Sequence, residues 1–274
     1  MSRKVKQERP SLASVLVKID RAESHLRFLE ADVERVFPGH RYVIEPEIYD
    51  EGRRHVFKAQ HPPEIPPDWS LVVGDMFHNL RSSLDYLAYQ LVLCCGGTPN
   101  TKTNFPIRDR PYIRRNWWRP WKEQRILPTI SGGIGRDVRE ILEAVQPYHG
   151  PKRNHGLDLL RHLDNVDKHR RLVIIAVATT NSISSAISGD PMEPPPSTTV
   201  FTRRPFEHDE VIAIVNYERP YPQPDPNLYF IPDIAFGERD RRIFQDPLRV
   251  VTGDLFYLVR DQVVPLFEGF FPIP

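Results

Sequence analysis

Two cysteines in 274 residues, adjacent at Cys94-Cys95, cannot build a framework of disulfides. A reducing cytoplasm is therefore the expected setting. No apolar run approaches the roughly 20 residues of a membrane span, and the opening MSRKVKQERP has no apolar signal core. Neither a membrane partner nor a leader is expected. Charge of one sign is missing too: 37 Lys and Arg against 36 Asp and Glu leave +1 at pH 7. Any affinity for nucleic acid must then come from a local patch. Several catalytic signatures are absent. SGGIG at 131–135 lacks the lysine and the preceding strand of a phosphate loop. There is no G-x-S-x-G elbow, no HExxH and no internal repeat.

What remains is an ordinary globular balance, 40% hydrophobic and 27% charged, with 28 prolines mostly in connections. The length suits one elaborated domain or two small ones, and a single elaborated domain over residues 1–274 is the reading adopted. Apolar spacing and stop signals mark helices over about 11–37, 69–95, 135–146, 156–170 and 252–267. The β-rich parts are 42–58, a hairpin turning at Asp50-Glu51-Gly52, and 172–236. In the second part, LVIIAVA at 172–178 reads as a buried strand, 181–199 as a flexible excursion, and 199–202, 210–217 and 228–236 as strands. Residues 98–134 read as irregular. The fold class expected is α+β: a bundle of four to five helices with an accessory antiparallel sheet.

The stretch DWSLVVGDMFHNLRSSLDYLAYQLVLCCGG, 68–97, organises the rest. Val73, Phe77, Leu80, Leu84, Leu87, Ala88 and Leu91 form one broad apolar stripe. Opposite it stand His78, Ser82, Asp85 and Tyr89, with Asp75, Asn79 and Arg81 beside them. These are short, hydrogen-bonding side chains rather than the Glu and Lys of a solvated face, so the column should meet other protein groups or a ligand.

A second helix, RHLDNVDKHRR at 161–171, carries a comparable column of Asp158, His162, Asn165 and His169, flanked by Arg161 and Lys168. Asp167 falls at its apolar edge, where a carboxylate needs a partner such as Arg81 or His78. Two polar stripes on apolar helices could converge in one pocket, or could simply form a buried network that fixes helix register.

The pattern GDMFHNLRSSLDYLAYQL, followed by LDNVDKHRRL and a strand, resembles a group of bacterial proteins of similar length whose activity is not assigned. Its helical part is similar to the HEPN superfamily of helical bundles, many of which are metal-independent ribonucleases. Their hallmark is an arginine, a polar residue, and a histidine after four to six intervening positions. Arg161-His162 followed by His169 is the nearest match, with seven residues intervening. The resemblance implies His169, or His162, as the acid or base at a ribose 2′-hydroxyl, and Arg161 or Arg170 on phosphate. Asn165 would orient substrate, with His78, Arg81, Asp85 and Asp167 in support. It also implies a homodimer and no cofactor.

Residues 108–125, RDRPYIRRNWWRPWKEQR, add a basic and aromatic patch. Arg114, Arg115 and Arg119 could neutralise phosphates, and Trp117, Trp118 and Trp121 could stack bases of single-stranded RNA. Alternatively, the tryptophans anchor a loop while the arginines stay solvated. The leading expectation is an RNA-binding or RNA-cleaving protein in defence or stress. Its rivals are a non-catalytic interaction module whose polar stripes hold the fold, and a metal-dependent hydrolase using His78, Asp85, Asp158, His162 and His169.

Overall fold

The computed structural model describes residues 9–36, 45–59, 64–116, 119–126, 128–149, 156–177, 197–200, 208–221, 233–237 and 246–271. Among them are five α-helices: α1 (Ala13–Val36), α2 (Asp68–Cys94), α3 (Arg136–Ala144), α4 (Gly156–His169) and α5 (Leu248–Tyr257). Eight strands accompany them: β1 (Glu47–Tyr49), β2 (Arg54–Lys58), β3 (Tyr112–Asn116), β4 (Arg119–Ile126), β5 (Ile174–Val177), β6 (Ser197–Val200), β7 (Val211–Asn216) and β8 (Asp233–Phe236). Every strand pairing described is antiparallel, so the class is α+β.

Contacts divide the chain into two compact units. Unit 1 is Met1–Leu26, Val72–Arg171 and Thr252–Pro274; unit 2 is Arg27–Leu71 and Leu172–Val251. Each is assembled from separated stretches, and α1, α2 and α5 contribute residues to both. No linker in the sequence marks the division, which is why composition alone presents one elaborated domain.

In unit 1, α1 runs antiparallel to α2. The Ser11 N–H donates to Gln90 Oε1 at 2.9 Å, and Lys18 Nζ lies 3.4 Å from Asn79 Oδ1. The apolar stripe of α2 is fully buried from Val73 to Leu91, together with Phe105, Leu142, Leu160 and Phe267. Phe105 meets the Phe267 ring edge-on at 6.1 Å. Gly96, at φ 71°, closes α2 in the left-handed conformation. The Gly97 N–H reaches Val92 O and the Gly96 N–H reaches Leu93 O, so two carbonyls of the last turn find donors.

Two elements differ from the expectation. Tyr112–Ile126 is not irregular: β3 and β4 form a hairpin with a bulge between Arg115 and Asn116. Its cations hide the strand signal, although Tyr112, Ile113, Trp121 and Ile126 are β-formers. The last helix begins at Leu248 and leaves α geometry after Tyr257, passing through a π turn (Leu258–Val263) into a 3-10 helix (Val264–Phe270). Pro265 has no N–H to give an α ladder and sits in the first turn of that 3-10 helix.

Unit 2 holds a four-stranded sheet, β1-β2-β7-β6, and the separate pair β5-β8. The hairpin expected at Asp50-Glu51-Gly52 is there, its three residues all at positive φ. Phe57, Ala176, Ile212 and Val215 form its core. The strand expected at 172–178 covers Ile174–Val177, half-buried at its isoleucines and buried at Ala176. Residues 181–196 of the expected excursion lie outside the described residues; Ser197–Val200 is strand. Trp69, fully buried, donates its indole N–H to Asp32 at 2.8 Å, which holds that carboxyl below the usual carboxylate range.

Candidate active site

The polar residues of α2 and α4 meet within unit 1, through Asp164 and Lys168, which lie about 100° around α4 from the column His162–Asn165–His169. Leu157, Leu160 and Leu163 are buried, and Asp164 stands four residues beyond Leu160, in the same stripe. Its side chain is only 6% exposed. A carboxylate in that position needs partners. Asp164 has two: His78 Nδ1 from α2 at 3.3 Å on Oδ1, and Lys168 Nζ, one turn along α4, at 2.6 Å on Oδ2.

The close approach depends on Gly74. A Cβ built there would overlap the carboxylate of Asp167, which lies against the α2 backbone. No hydrogen-bond donor among the described residues reaches Asp167; Arg81 and His78, the partners expected for it, do not bond to it. Burial pushes its carboxyl above the usual range, the neighbouring Asp75 and Asp164 push the same way, and His78 and Lys168 oppose them.

His78 is half exposed, with 52% of its side chain open to solvent. Its second nitrogen, Nε2, lies 3.4 Å from Ser82 Oγ, one turn further along α2. An ionised carboxylate only accepts, so in the neutral ring the bond to Asp164 assigns the proton to Nδ1 and leaves Nε2 as an acceptor facing the serine hydroxyl. An exposed imidazole is thus oriented by a buried carboxylate and faces a hydroxyl.

Arg81 and Asp85, further along α2, serve a different contact. The Phe105 N–H donates to Asp85 Oδ1 at 2.9 Å, and Arg81 Nη2 donates to Phe105 O at 3.0 Å and is ion-paired with Asp85 Oδ1 at 2.8 Å. Arg81 Nη1 is buried without a partner among the described residues. Burial raises the Asp85 carboxyl above its ordinary range, against Arg81 and the Phe105 N–H, which pull it down. Gln146 completes the anchorage, giving its amide to Pro106 O and accepting from the Arg108 N–H. These groups fasten the chain around Phe105 onto the bundle.

The remaining candidates lie apart from that contact. Asn165, His169, Arg170 and Arg171 are exposed on α4 or just past it, and His162 is half-buried. Arg161 is ion-paired with Asp158. Eight residues of helix put Arg161 about 12 Å along the axis from His169 and about 80° around it, too far to share one phosphate. Arg114 and Arg115 lie on β3, Arg119 and Trp121 on β4; Trp117 and Trp118 lie outside the described residues. Elsewhere in unit 1 a cleft of about 400 Å3 opens between α3, α4 and the C-terminal helical segment. It is lined largely by apolar residues and contains none of these groups.

Gly74 and Asp164 carry the α2–α4 contact without standing out in the sequence. A signal for Asp164 was available: a carboxylate at helical spacing from Leu157 and Leu160 cannot be left unpaired. No group of three or more His, Cys, Asp or Glu among the described residues is arranged to hold a metal ion. No described helix is long and apolar enough to cross a membrane. No family model matches the chain, and no curated protein or solved structure matches it either.

Proposed function

We propose that this protein binds single-stranded RNA along the exposed side of α4 and cleaves it without metal, with His169 as the general acid or base. The carrying observation is the run Lys168, His169, Arg170, Arg171, all exposed at the C-terminal end of one helix while Asp164 and Asp167 of the same helix are turned toward α2. An accessible imidazole among cations suits proton transfer beside a phosphodiester, and the guanidinium fork suits its developing charge. Arg170 is adjacent to His169 in sequence, while Arg161 lies two turns back on α4. The basic hairpin β3–β4 would extend the contact along the strand. A cytoplasmic homodimer acting in defence or stress belongs to the same proposal, on the resemblance to HEPN ribonucleases.

The test is cleavage of a labelled single-stranded RNA in EDTA by the wild type and by His169→Ala. Cleavage that survives EDTA and vanishes in the variant, with an unchanged melting temperature, is the expected result. RNA binding without cleavage in the wild type would leave a binding protein.

A second reading, a non-catalytic interaction module, is favoured by one observation. Arg81 and Asp85, part of the polar column of α2, are engaged with the Phe105 backbone and hold the fold. Absence of RNA binding at low salt would leave that reading standing.

A further inference from the structure

We propose that Ser82, His78 and Asp164 form a nucleophile, a base and an orienting carboxylate, and that they carry out acyl transfer from small neutral carboxylic esters. Three groups lie in the required order. Asp164 Oδ1 is 3.3 Å from His78 Nδ1, and His78 Nε2 is 3.4 Å from Ser82 Oγ. The orienting member is buried while the other two can be reached from solvent. Such an arrangement is recognised by geometry and roles, not by position in the chain or by fold.

The hydroxyl of Ser82 has an alternative that it does not take. Within a helix a serine ordinarily donates to a carbonyl one turn back. Ser83, next in sequence, does so, giving its hydroxyl to Leu80 O at 2.7 Å. The Ser82 hydroxyl faces an imidazole nitrogen instead.

The surroundings select the substrate. Asp164 stands 3.3 Å from His78, with Lys168 ion-paired to its other oxygen, and the Asp167 carboxylate lies against Gly74, one turn before His78 on α2. Carboxylates on that side of the base disfavour a phosphodiester and tolerate an uncharged ester. The backbone N–H groups around Ser82 are used within α2, so no backbone oxyanion hole exists there. That restricts the reaction to esters with good leaving groups.

The step balances as follows. Ser82 Oγ bonds to the ester carbonyl carbon as its proton passes to His78 Nε2, and the carbonyl electron pair moves onto oxygen. Collapse re-forms the carbonyl and breaks the bond to the alkoxy group, which leaves as the alcohol with the proton from His78. Ser82 is then acylated. Water adds to the acyl carbon by the same route, giving the carboxylic acid and free Ser82.

The experiment treats the full chain with a fluorophosphonate probe and, separately, with p-nitrophenyl acetate. The expected result is one phosphonylated peptide, bearing Ser82, and ester turnover that Ser82→Ala abolishes. His78→Gln should slow labelling about 100-fold or more. Asp164→Asn should leave Ser82 labelled but more slowly. No labelling above that of Ser82→Ala, labelling at another residue, or a folded His78→Gln that reacts as fast as wild type would each overturn the proposal. Should His78→Gln fail to fold, the wild type decides: labelling that does not rise between pH 5 and pH 8 overturns it. RNA binding by Ser82→Ala is expected to equal that of the wild type, so this proposal and the RNA reading can fail separately.

Discussion

Asp167 of α4 rests its carboxylate against Gly74 of α2, in the space that any side chain at position 74 would need. The two helices can approach closely only because one residue has no Cβ and the other presents a flat, small group. Gly74→Ala is therefore expected to force α4 outward and to destabilise unit 1 by about 1–3 kcal/mol, the usual range for overpacking. Combining it with Asp167→Ala should recover part of that loss, since residues in contact are not additive. Urea unfolding of the two single variants and the double variant checks this. Simple additivity would mean that the two positions do not touch.

The same carboxylate gives a pH dependence whose sign can be worked out. Burial and two neighbouring aspartates raise its folded pKa above the unfolded value of about 3.9. The folded state then binds more protons than the unfolded one over that interval, so the contribution of Asp167 is full below about pH 4 and is lost as pH rises through the folded pKa. Asp167→Asn is expected to raise the melting temperature at pH 7, with the difference from wild type closing on acidification below about pH 4. A variant less stable than wild type at pH 7 would show that Asp167 has a donor.

Much of this was legible in the sequence, for reasons that particular residues make clear. Apolar spacing locates α2 and α4 to within a residue or two, because both bury one stripe and end on strong signals, Gly96 in the first case. That the column of α2 meets protein groups was legible too, from its short side chains, and it does so at His78 and Asp85. Which rung meets which was not, because periodicity fixes the face of a helix but not its depth against a neighbour. Gly74 sets that depth, and it does so by lacking atoms. The hairpin β3–β4 was missed because charge and composition dominate its sequence, while strand pairing is decided by backbone register. The division into two units is absent from the sequence because both are discontinuous.

The anchorage at Phe105 predicts a stability effect separate from any activity. Asp85→Ala strands the Phe105 N–H and removes the carboxylate that Arg81 Nη2 meets, at a cost of about 1–3 kcal/mol for each group left buried and unsatisfied. Asp85→Asn keeps an acceptor for the N–H and loses only the charge, so it should be the milder change. Thermal unfolding, with limited proteolysis around residues 98–108, measures both. Equal effects would assign the stability to the ion pair with Arg81 rather than to the bond with Phe105.

The last prediction separates the cationic end of α4 from the rest of the molecule as an RNA contact. With a net charge of +1, the chain has no global attraction for a polyanion, so binding must be local and must release counterions where cations meet phosphates. For a single strand, each phosphate neutralised contributes about 0.7 to the slope of log affinity against log salt. Arg170→Ala and Arg171→Ala together should lower that slope by about 1.4, weaken binding at low salt, and do so alike for different sequences, because phosphate contacts carry no base preference. Both residues are exposed, and thermal unfolding of the variant checks that it is folded. Fluorescence anisotropy of a labelled oligonucleotide from 25 to 200 mM salt measures the slope. An unchanged slope, with binding intact, would move the contact to the hairpin β3–β4, where Arg114, Arg115 and Arg119 are the next residues to replace.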